Sequence, residues 1–382
     1  MKSILIIAFS DLNHDARVNR QINFLKDTYK LTVASFGQTP IKDVQSIALQ
    51  KIKPSLPSKI IGGIALLLRY YTIAYNIIYN KSQYLKSLSE KKYDLIIAND
   101  IETLPLALEI SKGSKVLFDA HEYAPRHFED KLVWRIFFSK FNQFLCEKYL
   151  PQINAMLTVG KVLAKEYAKH FPVNPIVLTN ANYFYDLHSK PTDTNQIKLV
   201  HHGAANPSRQ LELMIDVMQY LDDRFTLDMI LLTPSIANKK TRTYLDTLKN
   251  KIADNPRVKI LPPVKSSEVI DLIHKYDVGI FLLPPINFNY KNTLPNKLFD
   301  FVQARLAIAV GPTPEMADLV TKYDLGIVSS DFTAQSFAKA ISQLTHDKID
   351  YFKSQSNRAA KELSAENNKI TLNKIVSDLL AN

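Results

Sequence analysis

Short apolar runs rich in β-branched residues alternate with stretches of helical periodicity along the whole chain. These runs predict twelve strands, at residues 4–9, 31–36, 94–98, 116–119, 156–159 and 176–178, and at 198–201, 227–232, 258–261, 278–283, 307–310 and 326–328. Continuous apolar runs of this length are typical of parallel strands that are buried on both faces. The alternation therefore predicts an α/β protein with two Rossmann-like, doubly wound domains facing a central cleft.

A polar segment without hydrophobic periodicity, residues 185–196, separates the two halves. We accordingly predict an N-terminal domain at residues 1–187 and a C-terminal domain at 197–350, and we consider the helical residues 351–382 as candidates to cross back to the first domain. A length of 382 residues agrees with two domains, because it exceeds the size of one ordinary core.

The net charge of +11 is unevenly distributed, because residues 1–190 hold 25 Lys and Arg against 16 Asp and Glu, an excess of +9. On charge alone this excess suits an anionic lipid surface, an acceptor pyrophosphate or nucleic acid, but no nucleic-acid motif is present. The single cysteine, Cys146, excludes an internal disulfide and fits a reducing compartment.

Residues 59–79 form an unusually apolar stretch that contains four tyrosines. Arg69 and Asn76 interrupt it, so a membrane-spanning helix is not expected. Two interpretations remain, a core helix packed on the sheet or a helix lying in a membrane interface with its tyrosines at headgroup level. The flanking lysines 51, 53, 59, 81 and 86 favour reversible binding to an anionic membrane surface.

The strand at 278–283 leads through a loop into a helix and a further strand that ends near residue 310. Pro295 suits the first turn of that helix, whose free backbone N–H groups can hold a diphosphate. Asp300 lies one to two turns further on, where a carboxylate can accept hydrogen bonds from both hydroxyls of a ribose.

This segment, with 200–203 before Arg209 and with 311–315, resembles the retaining GT-B glycosyltransferases of family 4. The likeness extends to 15–20 and 119–122 in the first half. It implies transfer of a hexosyl-type sugar from a UDP- or GDP-sugar, with no metal ion and no cofactor besides the donor. It also implies that the second domain binds the donor and the first binds the acceptor.

The resemblance implies a donor-binding set made of Gly203, Arg209, Asn292, Leu294, Pro295, Asn296, Lys297 and Asp300. Two positions depart from the family pattern, since Asn292 and Asp300 stand where the family has glutamates. Ala204 stands near a position where the family has a diphosphate-binding arginine. Lys297 and Arg305 are the candidates to replace that missing cation.

His121 follows the predicted strand at 116–119, and the resemblance implies that it hydrogen-bonds the transferring sugar. Together with Arg209 it forms the expected catalytic set. Asp15, Arg17 and Glu122 are the candidate acceptor contacts, although Arg17 equally suits a solvated first turn of a helix and Glu122 the start of a loop. Asp100 and Glu102 have the look of metal ligands, but the resembled family works without a divalent metal.

We therefore expect a retaining glycosyltransferase of polysaccharide biosynthesis with a lipid-linked or polysaccharide acceptor, in the cytoplasm or peripheral on the inner face of the cell membrane. The Lys-, Ile- and Asn-rich composition favours a bacterial source. Two alternatives are a GT-B nucleotide-sugar 2-epimerase, which needs carboxylates and histidine around the sugar, and a non-catalytic GT-B partner subunit. The second alternative is motivated by Asn292, Ala204 and Arg305.

Overall fold

The computed structural model describes residues 1–51, 54–232 and 239–381, and the chain divides into two compact units. Unit 1 contains Met1–Thr179, Asn287–Asn289 and the residues from Asn368 onward. Unit 2 contains Asn180–Ile286 and Tyr290–Asn367. The division thus falls at Thr179 and not at residue 187, and a short piece of the second half belongs to unit 1.

Unit 1 is built on a seven-stranded sheet in which all strands are parallel. Its strands are β1 (Ser3–Ala8), β2 (Lys30–Phe36), β3 (Gln45–Leu49), β4 (Leu95–Asn99), β5 (Lys115–Ala120), β6 (Ala155–Thr158) and β7 (Ile176–Val177). The spatial order is β3-β2-β1-β4-β5-β6-β7. The six predicted strands are confirmed, and β3 is one that the apolar pattern did not reveal, because it is mostly half-exposed at the sheet edge.

The helices of unit 1 cover both faces of this sheet, so that β1 and β4 are apolar on both sides. They are α1 (Ala16–Leu25), α2 (Leu56–Leu67), α3 (Tyr71–Ile78), α4 (Lys81–Leu88), α5 (Leu104–Ser111), α6 (Leu132–Trp134), α7 (Lys140–Tyr149) and α8 (Lys161–His170). Within the described residues, no helix is long and apolar enough to cross a membrane.

Unit 2 repeats the architecture with six parallel strands, all of them predicted. They are β8 (Ile197–Ala204), β9 (Phe225–Leu232), β10 (Val258–Leu261), β11 (Val278–Phe281), β12 (Ala307–Val310) and β13 (Gly326–Val328), in the order β10-β9-β8-β11-β12-β13. The helices of unit 2 are α9 (Glu212–Val217), α10 (Lys239–Lys251), α11 (Val269–Ile273), α13 (Asn296–Gln303), α14 (Pro314–Lys322), α15 (Ala334–Ser342) and α16 (His346–Ala359). Two further helices are divided between the units, α12 (Phe288–Lys291) and α17 (Ala365–Ala381), and most of α17 belongs to unit 1.

The predicted linker, residues 185–196, is packed against unit 2. The ammonium of Lys353 on α16 is buried and donates to the carbonyl of Lys190 at 3.1 Å and to Thr192 Oγ1 at 2.9 Å. It also forms an ion pair of 2.6 Å with Asp277. Because a buried ammonium is costly without partners, this cluster fixes the segment to the body of unit 2.

The apolar stretch at 59–79 is two helices, α2 and α3, separated at Arg69, which adopts a left-handed φ of 62°. Only Gly62, Ala65 and Leu66 of α2 are buried, so α2 is not a core helix, whereas Ala74 and Tyr75 place one face of α3 in the core. The interpretation that places the four tyrosines at headgroup level is also wrong for most of them. Tyr75 is buried and donates a hydrogen bond to the Glu102 carbonyl, and of the four tyrosines only Tyr70 is exposed.

Close packing of α13 on β11 depends on Gly279. A Cβ at this position would lie 2.3 Å from Cγ of Phe301, far inside van der Waals contact. We expect Gly279→Ala to lower the free energy of unfolding by about 1–3 kcal/mol, measured by urea denaturation, because the aromatic ring must shift. Gly63→Ala is the matched control, since a Cβ there meets only Phe137 Cε1 at 3.9 Å in a helix. An equal loss in both variants would contradict the packing argument.

Candidate functional site

In unit 2, the polar residues of the predicted donor set lie where β8 ends and α13 begins. Pro295 directly precedes α13 as its N-cap, one position earlier than predicted, and exposed Asn296 is the first helical residue. The first-turn N–H groups carry the positive end of the helix dipole, and among them that of Leu298 already donates to the Pro295 carbonyl at 3.2 Å. Leu294 and Asn292 are buried beside this turn, so they shape the site from within.

Two cations meet at Gly203 near the end of β8. Gly203 has a φ of 137°, and a Cβ there would lie 3.4 Å from both Arg209 Nη1 and Lys297 Nζ. Neither cation forms an ion pair with any residue that the structure describes. Burial and then the charge of Arg209 hold the pKa of Lys297 well below its usual range. A buried ammonium beside a half-buried guanidinium attracts an anion, which is the requirement of a diphosphate site.

The carboxylate of Asp300 lies beside this cation pair. Its Oδ1 accepts from Asn182 Nδ2 at 3.1 Å, and its Oδ2 lies 3.4 Å from Nε2 of His202. Burial, followed by the charges of Lys297 and Arg209, lowers the pKa of His202 to about 3. The imidazole is therefore neutral at physiological pH.

Arg305 does not belong to this site. Its buried guanidinium donates to the carbonyls of Gln303 at 2.7 Å and Tyr185 at 2.6 Å, and to Asn357 Oδ1 at 2.8 Å. Its backbone has a φ of 60°, which is a conformation that glycine adopts without strain. The prediction of Arg305 as a substitute diphosphate ligand is thus wrong, whereas Lys297 does lie beside Arg209.

In unit 1, His121 lies just past β5 and is oriented by Asp100. Its Nδ1 lies 3.0 Å from Asp100 Oδ2, and its backbone N–H donates to Asp100 Oδ1 at 3.1 Å. Its Nε2 lies 3.8 Å from Asp119 Oδ2 and makes no hydrogen bond with the residues described. Burial by itself lowers the pKa of His121, but Asp100 and then Asp119 outweigh it, and the pKa is raised.

Arg17 is buried and is not a solvated first-turn residue. Its Nε and Nη2 donate to the two carboxylate oxygens of Asp119 at 3.0 and 2.6 Å, and its Nη1 donates to the Leu178 carbonyl at 2.8 Å. The guanidinium therefore holds α1 against the ends of β5 and β7. A contact of Arg17 with an acceptor stays a prediction.

Asp15 and Glu122 have local partners as well. Asp15 caps α1, because its Oδ1 accepts from the Val18 N–H at 3.0 Å while its Oδ2 accepts from Ser10 at 2.6 Å. Glu122 Oε2 lies 2.7 Å from Nε2 of His127. Both carboxylates line a cavity of about 420 Å³ in unit 1, so their predicted acceptor role remains open to test.

Three contributors to these sites were missed by sequence reasoning. Asn182 lies in a segment without periodicity, and nothing local signals its contact with Asp300. Asn99 and Glu102 line the cavity of unit 1. Burial and then Asp100 raise the pKa of Glu102 to about 7. The acidic pair Asp100 and Glu102 was the available signal, but it was considered only as a metal site. Among the described residues, no group of three or more His, Cys, Asp or Glu side chains is arranged to hold a metal ion.

Solved structures share the architecture of the whole chain. No model of a protein family matches the sequence, and no curated protein matches it. The structure of Anabaena HepE in complex with UDP and glucose is 13% identical with a TM-score of 0.73, covering 99% of this chain and 100% of that one. An E. coli trehalose-6-phosphate structure bound with UDP-2-fluoro glucose is 9% identical with a TM-score of 0.71, covering 99% of each chain.

The α,α-trehalose-phosphate synthase (UDP-forming) of Burkholderia vietnamiensis is similar too, at 9% identity and a TM-score of 0.68 with full coverage of both chains. Together with the two parallel sheets, these likenesses show a two-domain α/β GT-B fold, which confirms the predicted fold class. At such identities the likeness concerns the fold alone.

The orientation of His121 by Asp100 gives a measurable titration. We expect Asp100→Asn to lower the pKa of His121 by about one unit or more, followed by NMR of the imidazole, because the neighbouring negative charge is lost while Asp119 and Arg17 remain. Asp27→Asn, an exposed carboxylate of unit 1, is the control. An unchanged pKa in Asp100→Asn would show that Asp119 alone controls the imidazole.

Proposed function

We propose that this protein is a retaining glycosyltransferase of the family 4 type that transfers a hexosyl-type sugar from a UDP- or GDP-sugar. The observation that carries the proposal is the cluster in unit 2, where Arg209 and Lys297 meet at Gly203 and Asp300 lies beside them. A cation pair next to a carboxylate matches a nucleoside diphosphate, which presents phosphates and a ribose diol. UDP in the structures of HepE supports a uridine donor.

The proposed roles follow from the chemistry of each group. Arg209, Lys297 and the first turn of α13 neutralise the diphosphate as it leaves, so the reaction needs no divalent metal. Asp300 accepts hydrogen bonds from the ribose hydroxyls. His121 orients the transferring sugar through its unbonded Nε2, and unit 1 binds a lipid-linked or polysaccharide acceptor.

The proposal is tested by nucleotide binding. We expect Asp300→Asn to weaken UDP binding by about 1–3 kcal/mol in calorimetry, because a charge-assisted pair of hydrogen bonds is lost. Asp254→Asn, an exposed carboxylate of unit 2, controls for the change in net charge. If the wild-type protein binds neither UDP nor GDP, the protein is a non-catalytic subunit. If the Asp300 variant binds as tightly as wild type, the ribose site lies elsewhere.

A broad apolar surface on unit 1 supports a second part of the proposal, peripheral binding to an anionic membrane. The surface consists of large apolar side chains that are more than a third exposed: Leu56, Ile60, Ile61, Ile64, Leu67, Leu68, Tyr70, Ile73, Phe128, Leu132, Val133 and Ile136. Its two segments are neighbours, since a Cβ at Gly63 would meet Phe137 at 3.9 Å. Soluble monomers rarely expose apolar side chains in such a cluster.

The charges around this apolar surface favour a bilayer. Lys59, Arg69, Lys131 and Arg135 are exposed within or beside it, and residues 54–80 contain no acidic side chain. Aliphatic side chains that enter the headgroup boundary and cations that meet anionic lipid act together. Of the five lysines predicted to flank the stretch, only Lys59 lies in α2. Lys81 pairs with Glu109, and Lys53 lies outside the described residues.

The membrane proposal is tested by vesicle flotation. Each cation near an anionic leaflet is worth roughly 1 kcal/mol, so Lys59→Gln, Lys131→Gln and Arg135→Gln together should abolish most binding at low salt. The control changes three exposed lysines elsewhere on unit 1, Lys92, Lys165 and Lys169, to glutamine and should bind like wild type. If the wild-type protein does not float with anionic vesicles at low salt, the membrane proposal fails, and a protein partner becomes the expected occupant of the apolar surface.

A further inference from the structure

The cavity of unit 1 lies at the carboxyl ends of four neighbouring strands. It is reached by the residues after β1, by the end of β2 at Phe36, by residues 99–102 at the end of β4, and by Ala120 and Glu122 at the end of β5. Its volume of about 420 Å³ is that of a small-molecule site. In a parallel sheet, ligands gather beyond this edge.

One wall of the cavity is aromatic. The ring of Phe9 is stacked with Phe36 at 5.7 Å and with Tyr79 at 5.9 Å between centroids, and Tyr84 packs against it at 5.3 Å. All four side chains line the cavity. This wall offers a rigid apolar face to a flat ligand.

The remaining lining is rich in hydrogen-bond acceptors. Asp15, Asp100, Glu102 and Glu122 all contribute carboxylates. Of these, Glu102 makes no side-chain hydrogen bond with any other residue that the structure describes. Among the lining residues that the structure describes, only two carry or can gain a positive charge: His127, which is already engaged by Glu122, and Lys51.

An unsatisfied acceptor points to a ligand independently of these charges. Asn99 lines the cavity and is 2% exposed. Its Nδ2 donates to the Ile7 carbonyl at 3.3 Å and to Gln21 Oε1 at 3.1 Å, but its Oδ1 has no partner among the described residues. Buried polar atoms are rarely left without a hydrogen bond, so a donor group from outside the chain is expected here.

We infer that this cavity binds an uncharged, polyhydroxylated ring, the terminal saccharide of the acceptor, and excludes acceptors that carry an anionic group at this ring. Hydroxyl groups donate to the carboxylates and to Asn99, and the C–H face of the ring packs on Phe9 and its neighbours. A phosphate or sulfate meets several acceptors of like charge instead. The inference rests on the proposed transfer function and names its acceptor class.

The excess of positive charge in residues 1–190 had left an acceptor pyrophosphate open. The lining of this cavity argues against that choice, because the local groups and not the net charge of the chain determine what enters.

The test is saturation-transfer NMR on the full chain with glucose, galactose, mannose and N-acetylglucosamine, each against its own 6-sulfate. The charge of a sulfate is fixed between pH 6 and pH 8. At pH 8 we expect at least one neutral sugar to receive saturation from the aromatic protons and to bind at least tenfold more tightly than its 6-sulfate. The difference should shrink at pH 6, because Glu102, with its pKa of about 7, is then protonated.

Glu102→Gln assigns the effect to this cavity. It should remove most of this pH dependence, whereas Glu90→Gln, an exposed residue of unit 1 outside the cavity, should keep it. Equal or tighter binding of the 6-sulfates, or no transfer to any neutral sugar, overturns the inference. UDP calorimetry on the same samples separates the two proposals. UDP binding without saccharide binding defeats this inference alone, and saccharide binding without UDP binding defeats the transfer function alone.

Discussion

Arg17 and Asp119 form a buried ion pair on which the functional edge of unit 1 depends. The pair is bidentate, and the guanidinium also donates to the Leu178 carbonyl, so that α1, β5 and β7 are joined at one point. Removing one partner of such a pair leaves an uncompensated buried charge, at a cost of about 3–5 kcal/mol. Asp119 lies two residues before His121. The same pair therefore fixes the position of His121, the side chain proposed to contact the transferring sugar.

In each unit, the charge of the groups at the site does not follow the net charge of the half of the chain that contains it. The half with the large positive excess contains a cavity whose charged lining is mainly carboxylates, and the nearly neutral half contains the cations of Lys297 and Arg209 beside Gly203. The difference arises because surface lysines are screened by solvent, whereas a few buried groups act at short range in a medium of low dielectric constant. This division suits a donor that is an anion and an acceptor ring that is not.

Two non-glycine residues in left-handed conformations serve different purposes. Asp100, with a φ of 63°, places both of its carboxylate oxygens on His121, one at the ring and one at the backbone N–H. Arg305, with a φ of 60°, instead stabilises the turn after α13 by donating to nearby carbonyls. A left-handed backbone conformation at a non-glycine residue costs of order 1–3 kcal/mol. It persists where several surrounding contacts hold the residue in place. In Asp100 those contacts orient a functional group.

The sequence alone determined the two-domain α/β fold and twelve of the thirteen described strands, because burial on both faces imposes a continuous apolar run that is visible locally. It also singled out the β11–α13 segment with Asp300 and Lys297. Tertiary structure decided whether each charged side chain is available. Arg17 is engaged by Asp119 and Arg305 by the Tyr185 carbonyl, both distant in sequence, while Arg209 and Lys297 are left together. It likewise decided that α2 is largely exposed and that Oδ1 of Asn99 has no partner among the described residues. Such outcomes depend on contacts between residues distant in sequence, which no local period encodes.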